Sequence, residues 1–129
     1  MGNNNLIKKV NLDNGLDLEF YDASKKIAGD RWQVKLMVRV EIPVSNYLQG
    51  LDEVMDTDDI QKTLGQKIVY EKSMERNFID DTEKERILIG FCDSLSESAL
   101  SYLSAQNFPK QFIVKKFKES KAREKYYQG

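Results

Sequence analysis

Through the first third of the chain, apolar and polar side chains keep a two-residue beat. Trp32, Val34, Leu36, Val38, Val40 and Ile42 alternate with Arg31, Gln33, Lys35, Met37, Arg39 and Glu41, the pattern of a strand with one face in a core and one in water. Upstream, Asn14-Gly15 marks a turn whose length is decided by register. A two-residue loop would face Leu12 with Asp17 and Val10 with Glu19, mixing apolar and charged groups on one face. A three-residue loop, Asp13-Asn14-Gly15 with Gly15 left-handed, sets Leu12 opposite Leu16, Val10 opposite Leu18 and Lys8 opposite Phe20. The second hairpin is predicted, with Ile7, Lys9, Asn11, Asp17, Glu19 and Tyr21 on its outer side. Residues 22–30 then read as a loop between two strands.

Pro43 cannot donate to a ladder and ends the pairing. In the irregular stretch 44–65, Thr57 or Asp58 is placed to cap a short helix running through Ile60 and Leu64 to Gly65. A strand follows over 68–79, with Ile68, Tyr70, Met74 and Phe78 on one face and Val69 and Ile79 on the other, and 80–84 reads as a hairpin loop.

Residues 85–105 fit two descriptions. Leu88, Phe91, Cys92, Leu95, Ala99, Tyr102 and Leu103 share a helical stripe, consistent with one long helix capped by Asp80 or Asp81. Gly90 and the isoleucine-rich run from Arg86 to Phe91 instead favour a strand over about 85–92, and Ser94-Leu95-Ser96-Glu97 matches a capping box opening a helix over about 94–106. The strand-then-helix reading is preferred. Pro109 suits the first turn of a last helix over about 109–127, with Phe112, Ile113 and Phe117 as its apolar stripe. The expectation is a single α+β domain over 1–129: an antiparallel sheet of four or five strands, mostly within 6–92, with an apolar face built from Leu12, Leu18, Phe20, Trp32, Leu36 and Val38 under the C-terminal helices.

Composition narrows the chemistry more than it suggests any. The chain has 129 residues and no histidine, which removes imidazole bases, histidine-dependent triads and the common zinc sites. A lone Cys92 in an apolar run reads as a small buried hydrophobe and fits a reducing compartment. The first residues carry neither a basic nor a long apolar stretch, and no apolar run approaches the roughly 20 residues that span a bilayer, so a cytoplasmic location is expected.

Four features are candidate sites. The 22–31 loop combines Ser24, Lys25, Lys26 and Arg31, which could cradle a phosphate or carboxylate. Its Asp22-Ala23-Ser24 resembles the aspartate-x-serine element of PilZ domains, which bind a cyclic dinucleotide. That pattern wants glycine three positions after the serine, where this chain has Ile27, and an upstream arginine motif, where it has Lys8 and Lys9, so the resemblance is not carried further. The last 20 residues hold seven basic side chains, Lys110, Lys115, Lys116, Lys118, Lys121, Arg123 and Lys125, against two acidic ones. That local balance of +5 leaves −6 for the rest of a chain whose total is −1. Such a helix could follow a polyanion, or pack against the acidic 52–59 segment of the same molecule or of a partner. The acidic run beginning Asp56-Thr57-Asp58 fails as a calcium loop, because Ile60, Gln61 and Lys67 stand where a ligand, a glycine and a glutamate are needed. Trp32 follows the cationic loop but shares a face with Val34 and Leu36, so core packing accounts for it.

No catalytic set, metal ligands or cofactor motif is found. The expectation is therefore a non-catalytic binding or adaptor domain acting through a protein partner, with nucleotide or nucleic-acid binding through the 22–31 loop and the C-terminal cations as the alternative. A homodimer through an exposed edge strand is also open.

Overall fold

A computed structural model describes residues 5–128, with side chains through Glu124. The elements in chain order are β1 (Asn5–Asn11), β2 (Asp17–Asp22), β3 (Lys25–Ala28), β4 (Arg31–Pro43), a 3-10 turn (Val44–Tyr47), α1 (Thr57–Leu64), β5 (Lys67–Asp80), a second 3-10 turn (Asp81–Glu83), α2 (Lys84–Ser104) and α3 (Phe108–Gln128). The class is α+β. All five strands form one antiparallel sheet around β4, which carries β5 along one edge and both β2 and β3 along the other, with β1 outside β2.

The first hairpin has the expected register. Val10 faces Leu18 and Lys8 faces Phe20, the Leu12 amide donates to Leu16 O at 2.7 Å, and Gly15 sits at φ 88°, where a Cβ would be strained. On β4 every second residue from Val34 to Ile42 is buried, and Leu18 and Phe20 lie beside them. The face that the alternation marked as apolar is thus the floor of the core. Trp32 is only partly buried at its end.

Three sequence expectations are corrected. The first concerns residues 85–92, which are not a strand: a single helix, α2, runs from Lys84 to Ser104. Its buried stripe is Ile87, Leu88, Cys92, Leu95, Ala99 and Leu103, and burying each large aliphatic contributes roughly 1.5–3 kcal/mol. That outweighs the cost of about 1 kcal/mol for Gly90 inside a helix. As a strand the segment would have had to find a sheet edge; as a helix it covers the apolar face that β2 and β4 leave open. Ser94 and Glu97 are simply exposed mid-helix residues. The fifth strand is instead β3, within residues 22–30 where the sequence predicts a loop, and there Lys25 and Lys26 pair with Gln33 and Trp32.

The second concerns β5. Trp32 pairs with Ile79 but Val34 pairs with Arg76, so Asn77 and Phe78 both stand against Gln33. This bulge reverses the alternation: Ile79 enters the core at 8% exposure and Phe78 turns out to 72%. The third is a shift of one or two residues at α1, whose cap is Asp56; its carboxylate accepts from the amides of Asp58 and Asp59.

The helices close one end of the sheet. Phe108 and Phe112 of α3 meet Tyr70 edge-on at 5.8 and 5.6 Å between ring centroids, and Tyr70 lies opposite Val40. The hairpin turn is tied to the same end: the Asn14 amide donates to Leu103 O at 2.7 Å and Ala105 O at 2.9 Å, while its carbonyl accepts from the Leu16 amide at 3.1 Å. One turn residue thereby satisfies carbonyls at the end of α2 that lack partners within the helix.

Candidate interaction surface

The four residues singled out in the 22–31 segment have separate employments. Ser24 is structural: its amide donates to Asp22 Oδ1 at 2.9 Å and its hydroxyl accepts from the Lys35 amide at 3.0 Å. It holds the break at which the chain leaves β2 and resumes pairing with β4 as β3. Arg31 is bound to Asp80 at 2.8 Å. Thr82 backbone and side-chain hydrogen bonds, together with Arg31, hold the Asp80 carboxyl below its ordinary range. Lys25 and Lys26 are exposed, and their partners Gln33 and Trp32 put them on opposite faces of the sheet.

Beside them, Trp32 donates its indole N–H to Asp81 at 2.7 Å and carries Lys84 Nζ 4.3 Å from its ring centroid. Lys84 also reaches Asp22 at 3.7 Å, so the first residue of α2 is pinned to the sheet. Around this end, two bulges expose large apolar groups: Phe78 on β5, and Ile27 on β3 at 42%. Phe78 has φ 60°, a left-handed backbone costing an ordinary residue about 1–2 kcal/mol. Lys25 and Lys26 of β3 and Arg76 of β5 are exposed and without an acidic partner among the described residues.

The C-terminal cations lie elsewhere. Lys121 meets Asp59 at 3.0 Å and Glu124 at 3.4 Å, so part of the basic segment does pack on the acidic one within the same chain. Lys116 pairs with Glu119 at 3.6 Å. Lys115, Lys118 and Arg123 are exposed, with no carboxylate partner among the described residues; the Lys125 side chain lies outside the described ones. α3 packs through Phe108 and Phe112 at Tyr70, opposite Val40 and seven residues along β4 from Gln33, the partner of Lys25, and Lys121 is held on Asp59 of α1. Loop and tail do not form one site.

The outer face of the sheet has its own order. Register sets Lys9 opposite Glu19, Glu19 opposite Arg39 and Arg39 opposite Glu71, a row of alternating charge across β1, β2, β4 and β5. The next row toward Trp32 is Leu6, Tyr21, Met37 and Ser73. Burial and the adjacent Glu19 push the Tyr21 phenol up. At the other end of this face, a cavity of about 390 Å³ is lined by Lys9, Glu19, Glu41 and Lys67, already paired as Lys9–Glu19 at 3.8 Å and Lys67–Glu41 at 3.2 Å.

Among the described residues, no group of three or more acidic or cysteine side chains is placed to hold a metal ion, and no helix is long and apolar enough to cross a membrane. Cys92 is buried, and that burial pushes its thiol up, away from reactivity. Compared with known proteins, the chain matches no family model, no curated protein sequence and no solved structure.

Sequence reasoning missed Phe78, Ile27 and the charged row. The two bulges break the period on which the reading relied, and the row exists only once four strands are in register.

Proposed function

We propose that the chain is a small non-catalytic binding domain of the cytoplasm that works by contact with another protein, and that the bulged end of the sheet makes that contact. Phe78 carries the proposal. A bulky aromatic held at φ 60° and 72% exposed costs folding energy and returns almost no burial, and backbone strain of this kind collects at ligand clamps and binding sites. With Ile27, 42% exposed on the other flanking strand, it offers an aromatic and an aliphatic anchor at this end. The free cations Lys25, Lys26 and Arg76 favour a partner segment with an apolar anchor flanked by carboxylates.

The test is a photo-crosslinking phenylalanine analogue at position 78, in the cells that make the protein, with Glu97 on the outer side of α2 as the control position. A discrete adduct specific to position 78 is expected. No adduct, or the same smear from both positions, overturns the reading.

A second reading, polyanion binding, keeps to α3 alone, where Lys115 and Lys118 present unpaired charge to solvent. It requires a gel shift with duplex or single-stranded nucleic acid that weakens steeply with salt; no shift at low ionic strength removes it.

A further inference from the structure

We infer that the outer face of the sheet is a self-association surface that seats a second copy of this chain, face to face, about a two-fold axis parallel to β4 and lying between β2 and β4. The inference uses a different surface from the bulged end and stands without it.

The argument is charge complementarity fixed by register. Read across the sheet, the row Lys9, Glu19, Arg39, Glu71 runs positive, negative, positive, negative. A two-fold axis parallel to the strands reverses the row, and an alternating row of even length meets its reverse with opposite charge at every position. Lys9 faces Glu71 of the second copy, Glu19 faces its Arg39, and the two remaining contacts repeat by symmetry, as an isologous interface requires. The same operation lays Tyr21 on Met37 of the second copy in the adjacent row, and both side chains are half-buried already. Apolar contact then supplies what charge alone does not, since complementary charges set register and partner choice more than affinity. Two sheets packed this way lie about 10 Å apart, as in a sandwich. The contact is centred on these two rows: one step further on, Asp17 would meet Glu41, but Asp17 is engaged by the Asn11 amide at 3.1 Å and Glu41 by Lys67 and Arg39.

Edge pairing through β5 is the poorer route to a dimer. A two-fold β5–β5 ladder sets residues equidistant from its centre opposite each other. Centres at Glu71, Lys72, Glu75 or Arg76 place that residue against itself, a centre at Ser73 opposes Glu71 to Glu75, and a centre at Met74 opposes Lys72 to Arg76. Every register through the middle of the strand is repulsive, the charged guard expected of an exposed edge.

Sedimentation velocity at low ionic strength tests the inference. The native chain is expected at about twice its 15.0 kDa mass, dissociating as salt is added. Glu19→Arg sets arginine against Arg39 of the second copy, and Arg39→Glu sets glutamate against its Glu19, in each case at both symmetry-related positions. Either change is expected to raise the dimer Kd on the order of a hundredfold. Mixing the two variants restores opposite charge everywhere, so an equimolar mixture forms a heterodimer, and the doubly exchanged chain, E19R with R39E, forms a homodimer. Should a single reversal unfold the chain, which circular dichroism reports, the native chain and the double exchange decide, because the double exchange restores opposite charge between positions 19 and 39 within the sheet. A native chain that stays monomeric overturns the inference, as do folded single variants that dimerise like the native chain, a mixture that fails to associate, or a folded double exchange that is monomeric.

Discussion

The two ends of β4 are built on opposite plans. At the Pro43 end the core is covered: Val40, Ile42 and Val44 are fully buried, as are Ile60 of α1 and Leu103 of α2. Asn14 caps α2, Tyr70 meets two phenylalanines, and Lys121 ties α3 to α1. At the Arg31 end the sheet is left open. Its two flanking strands bulge, Ile27 and Phe78 face water, and the backbone at Phe78 is strained. The closed end holds the fold together; the open end carries a cost that contributes nothing to folding. That asymmetry, more than any motif, is the ground for the contact surface proposed above.

The comparison can be broken most directly at the closed end. Phe108→Ala empties an aromatic site that is 1% exposed, and a loss of about 3–5 kcal/mol is expected in chemical denaturation. A loss under about 1 kcal/mol would mean that the helices do not close that end. Asn14→Ala deletes both caps on α2 and the turn bond to Leu16, with an expected cost of about 1–2 kcal/mol. Asn14→Asp should cost more, because a carboxylate then faces carbonyl oxygens.

Three smaller effects sharpen it. Gly90→Ala is expected to stabilise by about 0.5–1 kcal/mol, since a Cβ there meets nothing within 4 Å; a strand over 85–92 would give no such gain. Phe78→Gly relieves the left-handed backbone and loses little burial, and a gain of roughly 0.5–1 kcal/mol is expected in thermal or urea melts, whereas Phe78→Ala, which keeps the strain, should give none. The last reading is of pH. The folded Asp80 carboxyl is held below its unfolded value, first by the Thr82 amide and then by Arg31, so its contribution is complete above the unfolded pKa and is lost as pH falls through the folded one. Asp80→Asn should therefore shrink the difference in Tm between neutral and acid solution, with most of its effect at neutral pH.

Much of the sheet was legible because local rules and global packing agreed there. The alternation over 31–42 named the buried face of β4, and the register test on Asn14-Gly15 chose the hairpin that forms. The site was less legible. Ser24 and Arg31 are polar residues in a small-residue loop, and nothing in their spacing distinguishes a ligand cradle from the turn and ion pair they make. The C-terminal cations were visible as a charge run, but their division into paired Lys116 and Lys121 and unpaired Lys115 and Lys118 depends on which helix α3 touches.

What the sequence determined by itself was whatever a residue and its near neighbours decide: the pleat of β4, the turn at Gly15, the stop at Pro43, and the chemistry that a chain without histidine cannot perform. What only tertiary structure decided was each case where two local preferences were nearly balanced. The 85–92 segment is helical because an uncovered apolar face was waiting for it, and burial there outweighs the propensity of isoleucine for strands and of glycine against helices. Phe78 is outside because one extra residue in β5 turns a two-residue period over, and no window of sequence shows where a ladder slips until its partner strand is in place.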